Sequence, residues 1–258
     1  LTHPLVRDDA GNLVPASWPE ALRVAAAGLA TTGKATAVLS GGRVTVEDAQ
    51  AYASFARDVL GTKDVDFRAR AVSNEETAFL ANHVANKSLD VTYGDLEAAK
   101  SVLLVSFEPE DESPIVFLRL RKAALSGTTK VYAVAPYTSA GLAKMKGTLL
   151  SAGPREEVSV ITAAATHLSS DSVVLVGERA AQTPGALAAV AELVTKTGAK
   201  LAWIPRRAGE RGALDAGLLP IDGRNTSEIV TATGSAIKGL VIGGVSPEDV
   251  DGDLMGAI

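Results

Sequence analysis

The sequence of 258 residues contains no cysteine. Iron–sulfur clusters are held by cysteine thiolates, so we expect no ordinary cluster to be bound by these residues. The same absence excludes disulfide bonds and zinc sites built on thiolates. The three histidines, His3, His83 and His167, are far apart and in no ligand spacing, which favours surface or helix-end positions. The residues therefore predict no iron–sulfur cluster and no thiolate metal site in this chain.

Long apolar runs and an excess of basic charge are also lacking. Apolar runs such as Val173–Val176 and Leu240–Ile242 are far shorter than the roughly 20 residues of a membrane span. Leu1 opens no signal peptide, and because it is not a methionine we expect the sequence to be part of a longer polypeptide. The net charge of −5 argues against a nucleic-acid-binding face. With 47% hydrophobic residues, the composition is typical of a soluble globular protein.

One local unit recurs in the sequence: an apolar helix ends in glycine, and a strand of β-branched residues follows after a few positions. Glycine supplies the left-handed conformation that commonly ends a helix. The strands are nearly continuous apolar runs, which is typical of parallel strands buried on both faces. The predicted helices are Ala21–Thr32, Val116–Ser126 and Ala186–Thr197, followed by the strands Ala35–Leu39, Val131–Val134 and Leu201–Ile204. Further predicted strands are Val102–Phe107, Val173–Val176 and Leu240–Ile242.

The alternation of helices and buried strands predicts a doubly wound α/β fold with mainly parallel sheets. Six or more strands favour two lobes over one small sheet. Ser17, Thr45 and Ser73 each precede an acidic first turn, so we predict that they cap helices, and Ser113 starts another helix at a proline. The segment 209–224 is rich in Gly, Asp and Arg and is predicted to be a loop.

Two glycine motifs invite a test for phosphate binding. Gly28 to Lys34 matches GxxxxGK, but a phosphate-binding loop needs a strand before it, a helix after it and Ser or Thr after the lysine. Here a helix comes first, a strand follows and Ala35 succeeds the lysine, so we reject this motif. Ser40-Gly41-Gly42 does follow a strand and precede a helix, where open α/β sheets bind ligands. It indicates either a tight strand-to-helix turn, which we favour, or a vestigial cofactor crevice.

Two charged clusters follow predicted strands. Glu108, Glu110, Asp111 and Glu112 have the chemistry of a metal site or an acid–base pair, but acidic residues at a helix start are expected from the helix dipole alone. A second cluster consists of Arg206, Arg207 and Arg211. Its guanidinium groups are suited to clamping a phosphate or carboxylate, and equally to holding a loop or meeting a partner subunit. No GxSxG, HExxH or CxxC motif occurs.

Several stretches resemble the molybdopterin oxidoreductase superfamily. They include the Ser-Trp-Pro-Glu-Ala-Leu segment from Ser17 and the Leu-Gly-Thr-Lys-Asp-Val-Asp segment that ends at Asp66. The segments 108–122, 66–70 and 203–214 further resemble the family of the large peripheral-arm subunit of bacterial NADH–quinone oxidoreductase, the respiratory complex I, of the actinobacterial type. This resemblance extends over nearly the whole chain.

The resemblance also shows what has changed relative to the active molybdenum enzymes. Val72 and Ser73 stand where those enzymes carry a cysteine or selenocysteine metal ligand followed by histidine, and valine has no lone pair to offer. Ala135-Pro136-Tyr137-Thr138 replaces a turn whose aspartate and arginine help to hold the pterin. The chain also looks short between Pro220 and Ile221 relative to the family. We therefore expect no catalytic, cofactor-binding or metal-binding residue in this segment.

The family fold implies an interrupted lobe, with residues 1–66 and 168–258 in the first lobe and 67–167 inserted as the second. The resemblance implies a non-catalytic structural domain that supports electron transfer from NADH to quinone. The iron–sulfur clusters would lie outside this segment, the partners would be other peripheral-arm subunits, and the location would be cytoplasmic, at the membrane periphery. Two alternatives remain: an active molybdopterin enzyme with Ser73 as ligand, and a nucleotide- or sugar-binding module at Gly41-Gly42.

Overall fold

The computed structural model describes residues 2–70, 72–246 and 249–250. Within these residues the strands, in chain order, are β1 Leu5–Arg7, β2 Leu13–Pro15, β3 Thr36–Ser40, β4 Val65–Asp66, β5 Ser101–Val105, β6 Lys130–Ala135, β7 Thr148–Ser151, β8 Ser172–Gly177, β9 Lys200–Ile204 and β10 Gly239–Gly243.

The α-helices of the described residues are α1 Trp18–Thr32, α2 Val46–Ser54, α3 Asn74–His83, α4 Tyr93–Ala98, α5 Pro109–Glu112, α6 Pro114–Leu125, α7 Ala140–Lys144, α8 Glu157–Ala163, α9 Ala186–Thr197, α10 Glu210–Asp215 and α11 Thr226–Ala232. A π-helical turn, Phe55–Leu60, directly continues α2. Among these helices none is long and apolar enough to cross a membrane.

The chain divides into two compact units, and the first unit is discontinuous. Leu1–Ala71 and Ala216–Ile258 form the first unit, and Val72–Asp215 form the second. The sequence placed the return to the first lobe at residue 168. Strand pairing corrects this boundary, because β8 pairs with β5 and β9 pairs with β8 in the sheet of the second unit.

The sheet of the second unit has five parallel strands in the order β7-β6-β5-β8-β9. From the central strand β5, the chain adds β6 and β7 on one side and then returns to add β8 and β9 on the other. All residues of β5 and β8 are buried, since helices cover both faces of such a sheet. The apolar core includes Val102, Leu104, Leu120, Leu142 and Leu175.

The first unit has a three-stranded parallel sheet in the order β10-β3-β4 and an antiparallel hairpin of β1 and β2. Strand β3 is central and fully buried. A small apolar core forms around it from Ala37, Leu39, Ala69, Ile229 and Ile237. The first strand of this sheet, β3, is therefore central, with β4 added on one side and β10 on the other, as β6 and β8 flank β5 in the second unit.

The local predictions from the sequence are largely confirmed. All six predicted strands exist and are parallel, although β5 ends at Val105 because Ser106 turns away with φ +48°. The three glycine-terminated helices exist, and Ser17, Thr45 and Ser73 accept capping hydrogen bonds from Glu20, Asp48 and Glu76. The segment 209–224 was predicted as a loop, but it contains α10. Strands β4 and β7 and the hairpin of β1 and β2 were not predicted.

Candidate functional site

The carboxyl ends of the parallel strands are where a doubly wound sheet binds ligands, at the point where the winding direction reverses. In the second unit this switch point lies between the ends of β5 and β8. In the first unit it lies between the ends of β3 and β10. A cofactor crevice in this fold would therefore lie at one of these two positions.

The switch point of the second unit is closed by main chain. Gly177 ends β8 and lies directly against the turn that follows β5. A Cβ atom built on Gly177 would lie only 2.5 Å from the carbonyl oxygen of Ser106. Only glycine permits this approach, and Ser106 itself adopts a positive φ to make it. Space that a ligand would need between these two strand ends is filled by the protein's own backbone.

The switch point of the first unit is closed in the same way. Gly41 and Gly42 follow β3 and are both buried. The Gly41 amide donates a hydrogen bond of 2.7 Å to the carbonyl oxygen of Gly243. A Cβ atom built on Gly41 would lie 1.7 Å from the carbonyl oxygen of Gly244. This contact supports the interpretation of Ser40-Gly41-Gly42 as a tight turn, because the place above Gly41 is already occupied.

The GxxxxGK sequence lies in the orientation that was expected. Gly28 lies inside α1, and Gly33 ends that helix by donating its amide hydrogen to the carbonyl of Leu29. Lys34 is followed by a 3₁₀ turn and then by β3. The motif therefore lies at the end of a helix and not at the start of one. The backbone amides of the motif are consequently not arranged to bind a phosphate.

A cleft of about 550 Å³ remains at the carboxyl edge of the second unit's sheet, beside the closed switch point. Its charged lining residues are Glu108, Asp111, Glu157 and Arg179. Arg179 is paired within the protein, because its Nη2 donates a 2.5 Å hydrogen bond to Glu112 Oε1. Glu157 Oε2 is buried without a hydrogen bond. The cleft therefore presents the carboxylates of Glu108, Asp111 and Glu157 and one cation, Arg179, whose charge is paired with Glu112. This excess of negative charge is unfavourable for an anionic ligand.

The carboxylates of the predicted acidic cluster are spread around α5 and do not converge. Glu108 caps α5, Glu110 forms an ion pair with Lys144, and Glu112 accepts hydrogen bonds from the Glu108 amide and from Arg179. Within residues 2–70, 72–246 and 249–250, no group of three or more His, Cys, Asp or Glu is placed to hold a metal ion. The cluster forms a capped helix start, as the helix-dipole interpretation predicts.

The three arginines are paired with carboxylates of their own unit. Arg207 lies 3.6 Å from Glu178 and 3.4 Å from Glu210, two acidic residues that are 7% and 0% exposed. The Arg206 side chain lies 3.7 Å from Glu178. Arg211 bridges Asp215 at 2.8 Å and donates to the carbonyl of Lys87. Of the alternatives for these arginines, the contacts favour holding the loop after β9.

The Asp66–Arg70 motif builds a buried ion pair in the first unit. Asp66 and Arg68 have fully buried side chains, and their closest charged atoms are 2.9 Å apart. Asp66 also accepts a hydrogen bond from the Arg68 amide and one from the Thr226 amide at the start of α11. The Thr226 hydroxyl donates back to the Arg68 carbonyl. The motif therefore joins β4 to α11.

Val72, Ser73 and Tyr137 stand at the positions that the resemblance relates to molybdenum and pterin binding. Val72 is half-buried and offers no ligand atom. The Ser73 hydroxyl caps α3 by accepting from the Glu76 amide at 3.1 Å. Tyr137, at the lost Asp–Arg turn, is 69% exposed at the rim of the cleft. Val72 therefore offers no ligand atom, Tyr137 carries no positive charge, and the Ser73 hydroxyl is engaged as a helix cap.

Several residues that shape these places were not identified from the sequence. They are Gly177, Gly244, Glu178 and Glu210. The only sequence signal was the position of Gly177 and Glu178, which directly follow the predicted strand Val173–Val176. Which backbone faces each glycine depends on strands that are distant in the chain.

Comparison with known proteins gives a consistent assignment. Residues 1–243 match the family model described as molybdopterin oxidoreductase. The chain is 55% identical over 229 residues to the G subunit of NADH-quinone oxidoreductase from Mycobacterium tuberculosis, and 48% identical over 248 residues to that from Streptomyces coelicolor. Each match covers 85% of this chain but only 28% and 29% of the relative.

A more distant relative carries an active-enzyme name. The F420-dependent formate dehydrogenase 1 subunit alpha of Methanococcus maripaludis is 28% identical over 176 residues, which covers 67% of this chain and 26% of the relative. The family model spans both units of the structure, including all ten strands of the described residues. The chain belongs to the molybdopterin oxidoreductase family.

Proposed function

We propose that this chain is a non-catalytic structural domain of the large peripheral-arm subunit of an NADH–quinone oxidoreductase. The observation that carries the proposal is the closure of both switch points by backbone, at Gly41 and at Gly177. Identity of 48–55% to the G subunits of two such oxidoreductases supports the assignment to that subunit. Iron–sulfur clusters that carry the electrons belong, in this proposal, to parts of the polypeptide outside these residues, which contain no cysteine.

The residues present do not fit a molybdopterin. The cofactor carries phosphate and thiolate groups and is therefore anionic, whereas the remaining cleft presents Glu108, Asp111 and Glu157. Like charges in a partly desolvated cleft repel, and the repulsion is stronger there than in water. Arg179 offsets little of this repulsion, because its charge is already paired with the Glu112 carboxylate. We infer that the domain contributes shape and contact surface, and that no cofactor enters it.

The partners and location follow from the same assignment. The neighbours of this domain are other peripheral-arm subunits of the oxidoreductase. Its location is the cytoplasmic face of the plasma membrane, where it is held through the assembly.

The decisive test is the cofactor content of the full-length subunit in the purified oxidoreductase. We expect iron from the clusters, and molybdenum and pterin far below one per complex, measured by elemental analysis and by fluorescence of the oxidised pterin. Stoichiometric molybdenum with pterin would overturn the proposal.

A variant of Ser73 separates the structural role from the alternative of an active molybdenum enzyme. Ser73→Ala removes a helix cap, which costs about 1 kcal/mol of stability, and we expect NADH–quinone turnover to remain. Thr45→Ala is the matched control, because Thr45 caps α2 in the same way. If Ser73→Ala alone abolished turnover and metal content, Ser73 would be a ligand and the proposal would be wrong.

A further inference from the structure

The outer face of α6 is apolar and exposed. Ile115, Leu118 and Leu125 are 50%, 54% and 43% exposed. Their spacing places them in one stripe along the helix, since residues three, four and seven apart share a face. The opposite face of α6 is buried in the core through Val116, Phe117, Leu120 and Ala123. The stripe is therefore not needed to hold the helix on its own sheet.

Basic side chains border this stripe on both sides. Arg119 lies along one border and Lys122 lies within the stripe, and both donate 2.7 Å hydrogen bonds to Glu97 of α4. The hydrogen bonds from Lys122 and then Arg119 hold the pKa of Glu97 below its ordinary value of 4.5. Arg121 lies along the other border and is exposed. No carboxylate of the part of the chain that the structure describes pairs with Arg121.

The charge of this face is opposite to that of the whole chain. Three cations and the Glu97 carboxylate leave a positive surface, whereas the chain carries −5. The positions 115, 118, 122 and 125 follow the alternating spacing of three and four that lets one helix pack along another. A partner that complements this surface needs an apolar stripe with acidic borders.

We propose that the outer face of α6 docks an acidic amphipathic helix of another polypeptide in the assembly. A second copy of this chain is disfavoured, because two such faces would place cations against cations. A stripe of three apolar side chains is also a small anchor for a lipid surface. The identity of the assembly rests on the proposed function, but the chemistry of the face does not.

The first test is site-specific photo-crosslinking in the assembled oxidoreductase. A benzophenone side chain replaces Leu118 in the full-length subunit, and the cross-linked peptide is identified by mass spectrometry. Leu89, which is 77% exposed in the same unit and outside α6, is the matched control position. We expect Leu118 to cross-link to one acidic, amphipathic peptide of another polypeptide. A cross-link to another part of the same subunit, to a second copy, to lipid or to nothing would overturn the docking proposal.

The second test measures assembly. Leu118→Asp and Arg121→Glu should each weaken incorporation of the subunit at least about tenfold, because an interface anchor or its complementary charge is lost. Leu89→Asp should leave incorporation unchanged. Because both α6 positions are on the surface, the variants should keep the melting temperature of the parent, which excludes unfolding as the cause. Normal incorporation of both α6 variants would overturn the docking proposal.

The outcomes of the docking and function proposals are distinguishable. If the purified assembly lacks NADH-oxidising subunits, the proposed function fails, while the Leu118 cross-link still decides whether α6 docks an acidic helix. If the assembly is the oxidoreductase and Leu118 cross-links to no other polypeptide, only the docking proposal fails.

Discussion

The buried pair of Asp66 and Arg68 provides the sharpest test of how the first unit is held together. Replacing Asp66 by Asn changes no volume but removes the negative charge. It also places an NH₂ group where one carboxylate oxygen accepted hydrogen bonds. Asp66 Oδ2 accepts from Arg68 Nη2 at 2.9 Å and from the Thr226 amide at 3.1 Å, whereas Oδ1 accepts from the Arg68 amide and Nε. In either orientation of the amide, donors face donors.

The expected loss of stability is large because both side chains are 0% exposed. Removing one partner of a buried pair costs about 3–5 kcal/mol, since the remaining charge stays out of water. The matched control is Lys63→Ala, which removes the pair of Lys63 with Asp222 in the same unit. Those two side chains are 70% and 69% exposed. Exposed pairs contribute about 0–1 kcal/mol, so we expect little change.

The assay is urea unfolding followed by circular dichroism, combined with hydrogen exchange of peptides that cover β3 and β8. We expect Asp66→Asn to lower the unfolding midpoint and to speed exchange in β3, whose residue Leu39 pairs with Asp66. Strand β8 should be less affected because it lies in the other unit. If Asp66→Asn costs less than about 1 kcal/mol, like an exposed pair, the reasoning from burial is refuted.

Three further predictions concern the closed crevice, the loop after β9 and the surface of α6. Gly41→Ala should destabilise the protein by more than about 2 kcal/mol, because the new Cβ would overlap a backbone oxygen. Gly28→Ala is the control: it has open space inside a helix and should stabilise the protein by about 0.5–1 kcal/mol. Thermal unfolding of both variants checks this prediction, and equal effects would contradict it. Arg207→Met should cost about 3 kcal/mol of stability, because it removes a cation from buried carboxylates. Arg206→Ala should cost less than about 1 kcal/mol, because the Arg206 side chain is 51% exposed. The reverse order in urea unfolding would refute the role of Arg207 in holding the loop after β9. The pKa of the Glu97 carboxyl should lie below 4.5 when it is measured by carbon-13 NMR. Because the pKa is lower in the folded state, the contribution of Glu97 to stability is present above the unfolded pKa and is lost as the pH falls through the folded pKa. A titration midpoint at or above 4.5 would contradict this prediction.

Local features of the fold were predictable because short-range physics fixes them. A buried parallel strand such as β8 is a run of apolar residues whatever its neighbours are. The helix stop at Gly198 and the cap at Ser73 depend on hydrogen bonds within one turn of the chain. For the same reason the reversed GxxxxGK motif was correctly rejected, since only the order of helix and strand was needed.

Long-range features were not predictable in the same way. The sequence shows that β8 is a strand, but its pairing with β5 depends on side chains and loop lengths far away. The boundary at residue 168 was therefore misplaced. The helix Glu210–Asp215 was missed because its surroundings are rich in Gly and Arg, and the buried Glu210 that anchors it pairs with Arg207 through tertiary contacts.

The sequence by itself determined the absence of thiolate chemistry, the α/β class, most strands and helix ends, and the family. Those conclusions depend on composition, on periodicity and on residue identity, which are properties of the sequence and need no knowledge of long-range contacts. The tertiary structure decided which strands share a sheet, which arginines meet which carboxylates, and that both switch-point crevices are closed. Gly41 meets Gly244, and Gly177 meets Ser106, only because parallel strands bring distant carboxyl ends to one edge, where the absence of a Cβ lets two backbones touch.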